Sequence, residues 1–343
     1  NSANVKIKFN YVGDYEYWWL IDDIFVYAPA DFDVAIDSAY VSEYTAVPFE
    51  QSGTYTPAVG VVNLGANAAT NVSVDLNIYD GTNTSVFTST MTQANLAAGA
   101  SADLVSATSF TPSGVDLYLA EFVVSITEAD AIVSNDTFIT AIDVTDSLYA
   151  RDFAYLAGAQ NAVTQFLGIG AGQSIVMGNV FDVTSSTDLV SIEAFINATV
   201  TIGDTVNARL YSFAANTVGA EIAMQEKIIT AADTPVILME FTFNEPLSPG
   251  QYYMAIEETN SIDNIALWFS DDIYTPNRSK GSIDGGAFLD FIDLGFKNVP
   301  LIRANLHTPT STVLQDCEDL IISEVVIHSV GFKFSSRYWI PIL

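Results

Sequence analysis

Asp22-Asp23, Glu257-Glu258 and Asp271-Asp272 are pairs of neighbouring carboxylates in this 343-residue sequence. Paired carboxylates could serve glycoside hydrolysis or hold a divalent metal. Adjacent residues of a strand point to opposite faces, so neither member of such a pair can support the other. Glycoside hydrolysis and metal binding are the two chemistries to weigh. Asp14, Asp22 and Asp23 form the first candidate group. Asp263, Asn264, Asp271 and Asp272 form the second. No EF-hand spacing accompanies either, so the alternative is that they hold no ion.

Aromatic rings offer a second chemistry, stacking on the apolar face of a sugar. Trp18 and Trp19, beside Tyr15 and Tyr17, are one candidate platform, and Trp268 with Phe269 is another. One of the two neighbouring tryptophans must face away from the other and join a core. The competing reading is that the pair covers the two faces of a sandwich edge.

Nucleophilic and phosphate chemistry find little support. There is no Gly-x-Ser-x-Gly elbow. His307 lies in a Pro/Thr-rich stretch and His328 in an acid-free tail, neither well placed as a general base. The single cysteine, Cys317, rules out a disulfide framework and reads as a small apolar filler. Gly168-Ile169-Gly170-Ala171-Gly172-Gln173 lacks the Lys-Ser/Thr of a phosphate loop and reads as a turn leading into a strand at Ser174–Val183. The expectation is a chain that is not an enzyme.

The elements that would carry these residues are strands. Half of the chain is apolar, and turn residues recur about every ten positions. Val72, Val74, Leu76 and Ile78 alternate with Ser73, Asp75 and Asn77, and Asp80-Gly81 supplies a turn at once. Leu117, Leu119, Phe122 and Val124 suggest a second core strand kinked near Ala120. Phe138, Thr140 and Ile142 suggest a third. The fold class predicted is all-β, with tandem sandwiches of immunoglobulin-like and jelly-roll-like type.

Charge sorts the partners. Acids outnumber bases 41 to 11, a net charge of −30. No Lys or Arg occurs between Lys8 and Arg151, a stretch holding 19 Asp and Glu. Such a surface repels phosphate backbones, so nucleic acid is not an expected partner. No apolar run is long enough for a transmembrane helix, so membrane insertion is not expected. Without bases, the domain in this stretch would lack salt bridges to basic side chains and cohere through its core and backbone ladders.

Residues 1–30 read as two strands, too few for a stable unit. Asp14 to Tyr27, ending Leu20-Ile21-Asp22-Asp23-Ile24-Phe25-Val26-Tyr27, resembles the last hairpin of jelly-roll adhesin domains of the MAM-like or cleaved-adhesin type in secreted Bacteroidetes proteins. The resemblance implies a chain that begins inside a preceding domain. Residues 31–147 contain Val59-Gly60-Val61-Val62-Asn63-Leu64-Gly65, Asn71-Val72-Ser73-Val74 and Leu96-Ala97-Ala98-Gly99-Ala100, which together resemble the CARDB-type immunoglobulin-like domain. Asp146 to Asp152 looks like the junction after such domains. Residues 153–306 are similar to the β-sandwich that follows there, through Gly178-Asn179-Val180-Phe181-Asp182-Val183 and Leu247-Ser248-Pro249-Gly250-Gln251-Tyr252-Tyr253. In 307–343, a linker precedes Cys317 to Val326, which looks like the first strand of a lamin-tail-like domain. Val325 to Leu343 departs from that pattern, holding no acid. It reads as a truncated or out-of-context end, or as a short basic anchor.

The resemblance implies adhesion or spacer modules of a secreted or cell-surface protein, exported by a type IX system. Calcium enters as an ion that many jelly-roll modules hold near their terminal strands. The partners implied are an extracellular surface, a glycan or protein ligand, and neighbouring domains of a longer parent chain. Two alternatives stay open: accessory domains of a secreted peptidase or glycosidase with its catalytic domain upstream, and a carbohydrate-binding module.

Overall fold

The computed structural model describes residues 29–152, 174–196, 202–231, 238–258, 267–270 and 275–307. Among them, regular structure consists of strands and short 3-10 turns. The chain is all-β.

The first sandwich opposes two sheets. The smaller contains β1 (Val34–Tyr40), β3 (Ala58–Asn63) and β6 (Ser101–Val105), in that order. The larger orders β2 (Ala46–Pro48), β8 (Thr137–Thr145), β7 (Asp116–Ser125), β4 (Ala69–Tyr79) and β5 (Ser85–Leu96). All pairings are antiparallel except β2 with β8. The alternation of β4 does what its sequence dictates. Val72, Val74, Leu76 and Ile78 are buried, and the polar residues between them face out. Burying each such side chain contributes about 1.5–3 kcal/mol.

The Asn63-Leu64-Gly65 turn has a physical reason for its residues. The Asn63 amide is buried and donates to the carbonyls of Asn67 (2.9 Å) and Leu96 (2.8 Å), while its oxygen accepts from the Gly65 N–H. A Cβ at Gly65 would lie 2.8 Å from the Asp33 backbone nitrogen, too close for any side chain.

β7 corrects one expectation. The strand is regular rather than kinked, and Leu117 and Leu119 face outward, 40% and 42% exposed. Tyr118, Ala120, Phe122 and Val124 are the buried set. Phe122 and Val124 fix the parity of the strand, and a period of two then leaves both leucines on the wrong side. Tyr118 suits the interior because its ring meets Phe110 edge-on at 5.2 Å and its hydroxyl donates to the Gly114 carbonyl.

The second sandwich is larger. One sheet orders β13 (Thr217–Ile228), β12 (Thr205–Ala214), β15 (Gly250–Glu258), β10 (Ile175–Val183), β17 (Ser279–Ile283) and β18 (Leu289–Asp290). The facing sheet orders β14 (Leu238–Leu247), β11 (Thr187–Phe195), β20 (Ile302–His307) and β9 (Leu148–Tyr149). A small pair, β16 (Phe269–Ser270) and β19 (Val299–Pro300), lies outside both. Met177, Phe181 and Met254 belong to the main core with Leu189, Phe241 and Ala304. Val176, Val180, Tyr211 and Tyr253 form a second cluster, packed by Phe288. β10 therefore contributes to two apolar clusters, which explains its almost unbroken burial.

Candidate functional site

The two sandwiches meet along a junction built by the segment between them. Ala150 exchanges backbone hydrogen bonds with Ala46, and its carbonyl also accepts from the Thr45 N–H. Immediately before it, Leu148 and Tyr149 form β9 and pair with Asn305 and Ala304 of the other sandwich. The Leu306 N–H donates to the Ser147 carbonyl. The connector is thus hydrogen-bonded on both sides.

Its charged dipeptide divides between the modules, as alternating side chains of an extended segment must. Arg151 turns chiefly to the first sandwich, while its Nη1 also donates to the Val180 carbonyl of the second at 3.5 Å. Its Nη2 donates to Glu43 Oε2 at 2.9 Å, and its guanidinium lies 4.8 Å from the Tyr44 ring centroid. Asp152 turns to the second, where Arg303 grips it through Nε (2.9 Å) and Nη2 (2.7 Å). Both members of that pair are buried. The Arg303 guanidinium also covers the Phe195 ring at 4.6 Å.

Glu43 is shared. Arg278 forks onto it, Nε to Oε2 at 3.0 Å and Nη2 to Oε1 at 2.9 Å. The same Arg278 Nη2 lies 2.9 Å from Asp182 Oδ2. The Tyr44 hydroxyl donates to Asp182 at 2.6 Å and accepts from the Asp182 N–H. Burial works to raise the Asp182 carboxyl, but hydrogen bonds from Tyr44 and Gln251 and the charge of Arg278 hold it below the ordinary carboxylate range. Burial raises the phenols of Tyr44 and Tyr149 well above the usual value, so both remain donors. Tyr149 uses its proton on the Asp182 carbonyl at 2.9 Å. These rings pack with Phe181, Tyr44 to Tyr149 at 4.6 Å and Tyr149 to Phe181 at 5.3 Å.

A second anchor is uncharged. Gln51 is buried, and its oxygen accepts from the N–H groups of Thr184 and Ser185. Its nitrogen donates to the Ser185 carbonyl and hydroxyl oxygens. The amide is satisfied across the junction.

Here a second expectation is corrected. The base-free sandwich does use salt bridges, but its guanidinium partners come from outside it: Arg151 on the connector and Arg278 before β17. Both arginines lie beyond the base-free stretch in sequence.

Beside these ion pairs opens a cleft of about 530 Å³. Tyr40 to Tyr44 and Thr54 to Thr56 line it from the first sandwich, and Thr275, Pro276 and Arg278 from the second. Tyr40 is 40% exposed. Burial pushes the Tyr55 phenol up to about 12.

Most residues singled out from sequence fall elsewhere. Asp14, Asp22, Asp23, Trp18, Trp19, Asp263, Asn264, Asp271, Asp272, His328, Cys317 and the Gly168–Gln173 turn lie outside the described residues. Trp268 is partly buried against Phe195 and Leu301, and its buried indole N–H meets no acceptor among the described residues. His307 is exposed and ends β20 opposite Asp188. Glu257 and Glu258 do separate: Glu257 accepts from Asn207 and Arg209, and Glu258 is buried. Among the described residues no group of three or more His, Cys, Asp or Glu is placed to hold a metal ion. Nor is any described helix long and apolar enough to cross a membrane.

Sequence reasoning missed Glu43, Tyr44, Gln51 and Arg278. The one local signal was the return of basic residues at Arg151, immediately followed by an acid.

No protein-family model and no curated protein matches the chain. Several solved structures resemble it. A CARDB domain from Pyrococcus furiosus, crystallised in complex with di-metal ions, is 16% identical, with a TM-score of 0.28, and the match covers 37% of this chain and all of that one. The cysteine protease and lectin-like domains of a surface layer associated protein of Clostridium difficile are 12% identical, with a TM-score of 0.33. That match covers 70% of this chain and 59% of that one. A promiscuous carbohydrate-binding module of the β-sandwich superfamily is 10% identical, with a TM-score of 0.23, covering 76% of this chain and all of the module. At these identities and TM-scores no activity passes to this chain.

Proposed function

We propose that this chain is a fixed tandem of non-catalytic β-sandwich modules, acting as an adhesion or spacer unit of a secreted or cell-surface protein. The connector carries the reading. A flexible linker would leave its backbone to water, whereas Ser147 to Asp152 is hydrogen-bonded to both sandwiches and locked by buried charge on each side. A spacer works by holding a distance, and this junction has the means to hold one. The resemblance of the sequence to surface-protein modules supports the extracellular setting.

Small-angle scattering and calorimetry of the full chain test it. The expected result is one interdomain distance and unfolding in which the two sandwiches are coupled. Scattering from freely reorienting modules, with two independent transitions, would overturn it.

A second reading keeps the same geometry: accessory modules of a secreted peptidase or glycosidase whose catalytic domain lies upstream in the parent chain. The coding sequence upstream of Asn1 discriminates between the two. Calcium at the Asp14, Asp22 and Asp23 group remains part of the proposal. A melting temperature unchanged by excess EDTA removes it.

A further inference from the structure

The charges lining the interdomain cleft cancel one another. Glu43 gives both of its oxygens to guanidinium groups. Arg278 has five N–H donors, and four contacts to Glu43 and Asp182 leave it one. Neither can offer an unpaired charge to a ligand. An anion would find no free cation here and would approach through the field of a protein of net charge −30. A cation would find no free carboxylate.

What the cleft does offer is flat rings and hydroxyls. Tyr40 is well exposed and Tyr55 partly so. The Thr54 and Thr56 hydroxyls are held by Thr111 and Ser109 at 2.9 and 3.1 Å, which orients them while leaving further hydrogen-bonding capacity. Thr275 adds another hydroxyl from the opposite wall. The volume lies within the range of small-molecule sites, about 300–1,000 Å³. Such a lining suits a ligand with apolar C–H faces, many hydroxyls and no charge.

We propose that this cleft binds a neutral, polyhydroxylated ligand, a short stretch of uncharged glycan, with the Tyr40 ring as its stacking platform. The site is distinct from the tryptophan platforms considered above. It rests on the fixed junction, because its walls belong to different sandwiches.

The experiment is a glycan array probed with the full chain, carrying neutral oligosaccharides beside their sialylated and sulfated forms. Neutral glycans are expected to bind, and their acidic forms about tenfold or more weaker. Tyr40→Ala is expected to weaken binding about tenfold, Tyr40→Phe to retain most of it, and Trp268→Ala to leave it unchanged. No binding to any neutral glycan, equal binding to the acidic forms, or indifference to Tyr40→Ala overturns the proposal. Scattering from the same proteins separates this from the reading beneath it. A held junction without glycan binding sinks the site alone, and a flexible junction in the unaltered chain sinks the fixed tandem.

Discussion

The two halves of the molecule carry nearly equal numbers of acids and handle them by different means. From residue 9 to 150 there are 19 acids and no base, and from 151 to 307 there are 18 acids and seven bases. The first sandwich spends several carboxylates on its own backbone. Asp130 accepts from the N–H groups of Val34 and Ile132, Glu128 from Thr70, and Asp80 from Thr82 and Thr84. The Thr82 hydroxyl, then the Thr84 and Thr82 N–H groups, hold the Asp80 carboxyl below its ordinary range, and the Thr70 N–H and hydroxyl do the same for Glu128. The second sandwich pairs several of its acids with guanidinium groups, at Asp152–Arg303, Asp182–Arg278 and Glu257–Arg209. An acidic domain without bases can therefore stabilise its ionised carboxylates with backbone N–H and hydroxyl donors, provided loops and strand ends present them.

Breaking the buried pair should cost most. Arg303→Met leaves the Asp152 carboxylate buried and uncompensated, and denaturant titration should find a loss of about 3–5 kcal/mol. A loss under about 1 kcal/mol would mean the pair behaves like a surface one. Next comes the junction. Glu43→Gln deprives the buried Arg151 of its charged partner, with an expected loss of about 1.5–3 kcal/mol and separation of the two melting transitions. Acid should do the same. The folded-state pKa of Asp182 is depressed, so its contribution is present above the unfolded value and disappears as pH falls through the folded one. Two transitions that stay coupled once pH has fallen below that depressed value would contradict this.

In the first sandwich the matching test is Asp130→Ala, which strips the acceptor from the N–H of buried Val34 and should cost about 1–3 kcal/mol, with Asp130→Asn costing less. Asp136 should act in the opposite direction. Burial, then Asp130 and Asp33, raise its carboxyl, so ionisation opposes folding. Asp136→Asn should raise the first transition at neutral pH, and the advantage should vanish as pH falls through the raised value. The smallest effect is screening. In Glu43→Gln, where the transitions separate, raising salt from roughly 10 to 500 mM should raise the melting of the base-free sandwich more than that of its neighbour. Equal shifts would show that repulsion among its carboxylates matters no more than in its neighbour.

Strands that bury one face were legible. The alternation at Val72 to Ile78 and the Asp80-Gly81 turn are local signals with local causes. Leu117 and Leu119 misled because hydrophobicity ranks leucine above Tyr118 and Ala120, whereas parity with Phe122 decides which face is buried. The junction was not legible because its partners are far apart in sequence: Glu43 and Arg278 are 235 residues apart, and Gln51 and Ser185 are 134 apart. Nothing near Glu43 marks it as the acid two guanidiniums will share. The cleft was missed for the same reason, since Tyr40 and Thr275 meet only after both sandwiches fold.

The shared connector also sets a timetable. The first sandwich is complete once β8, ending at Thr145, has formed, but β9 cannot pair until β20 exists, and that strand ends at His307. During synthesis 162 further residues (307 minus 145) must emerge before the junction can close. At about 5–20 residues per second, that is roughly 8–30 s in which a folded first sandwich holds Glu43, Tyr44 and Gln51 uncovered. A nascent chain in that interval presents a polar, aromatic face that the finished protein covers in part.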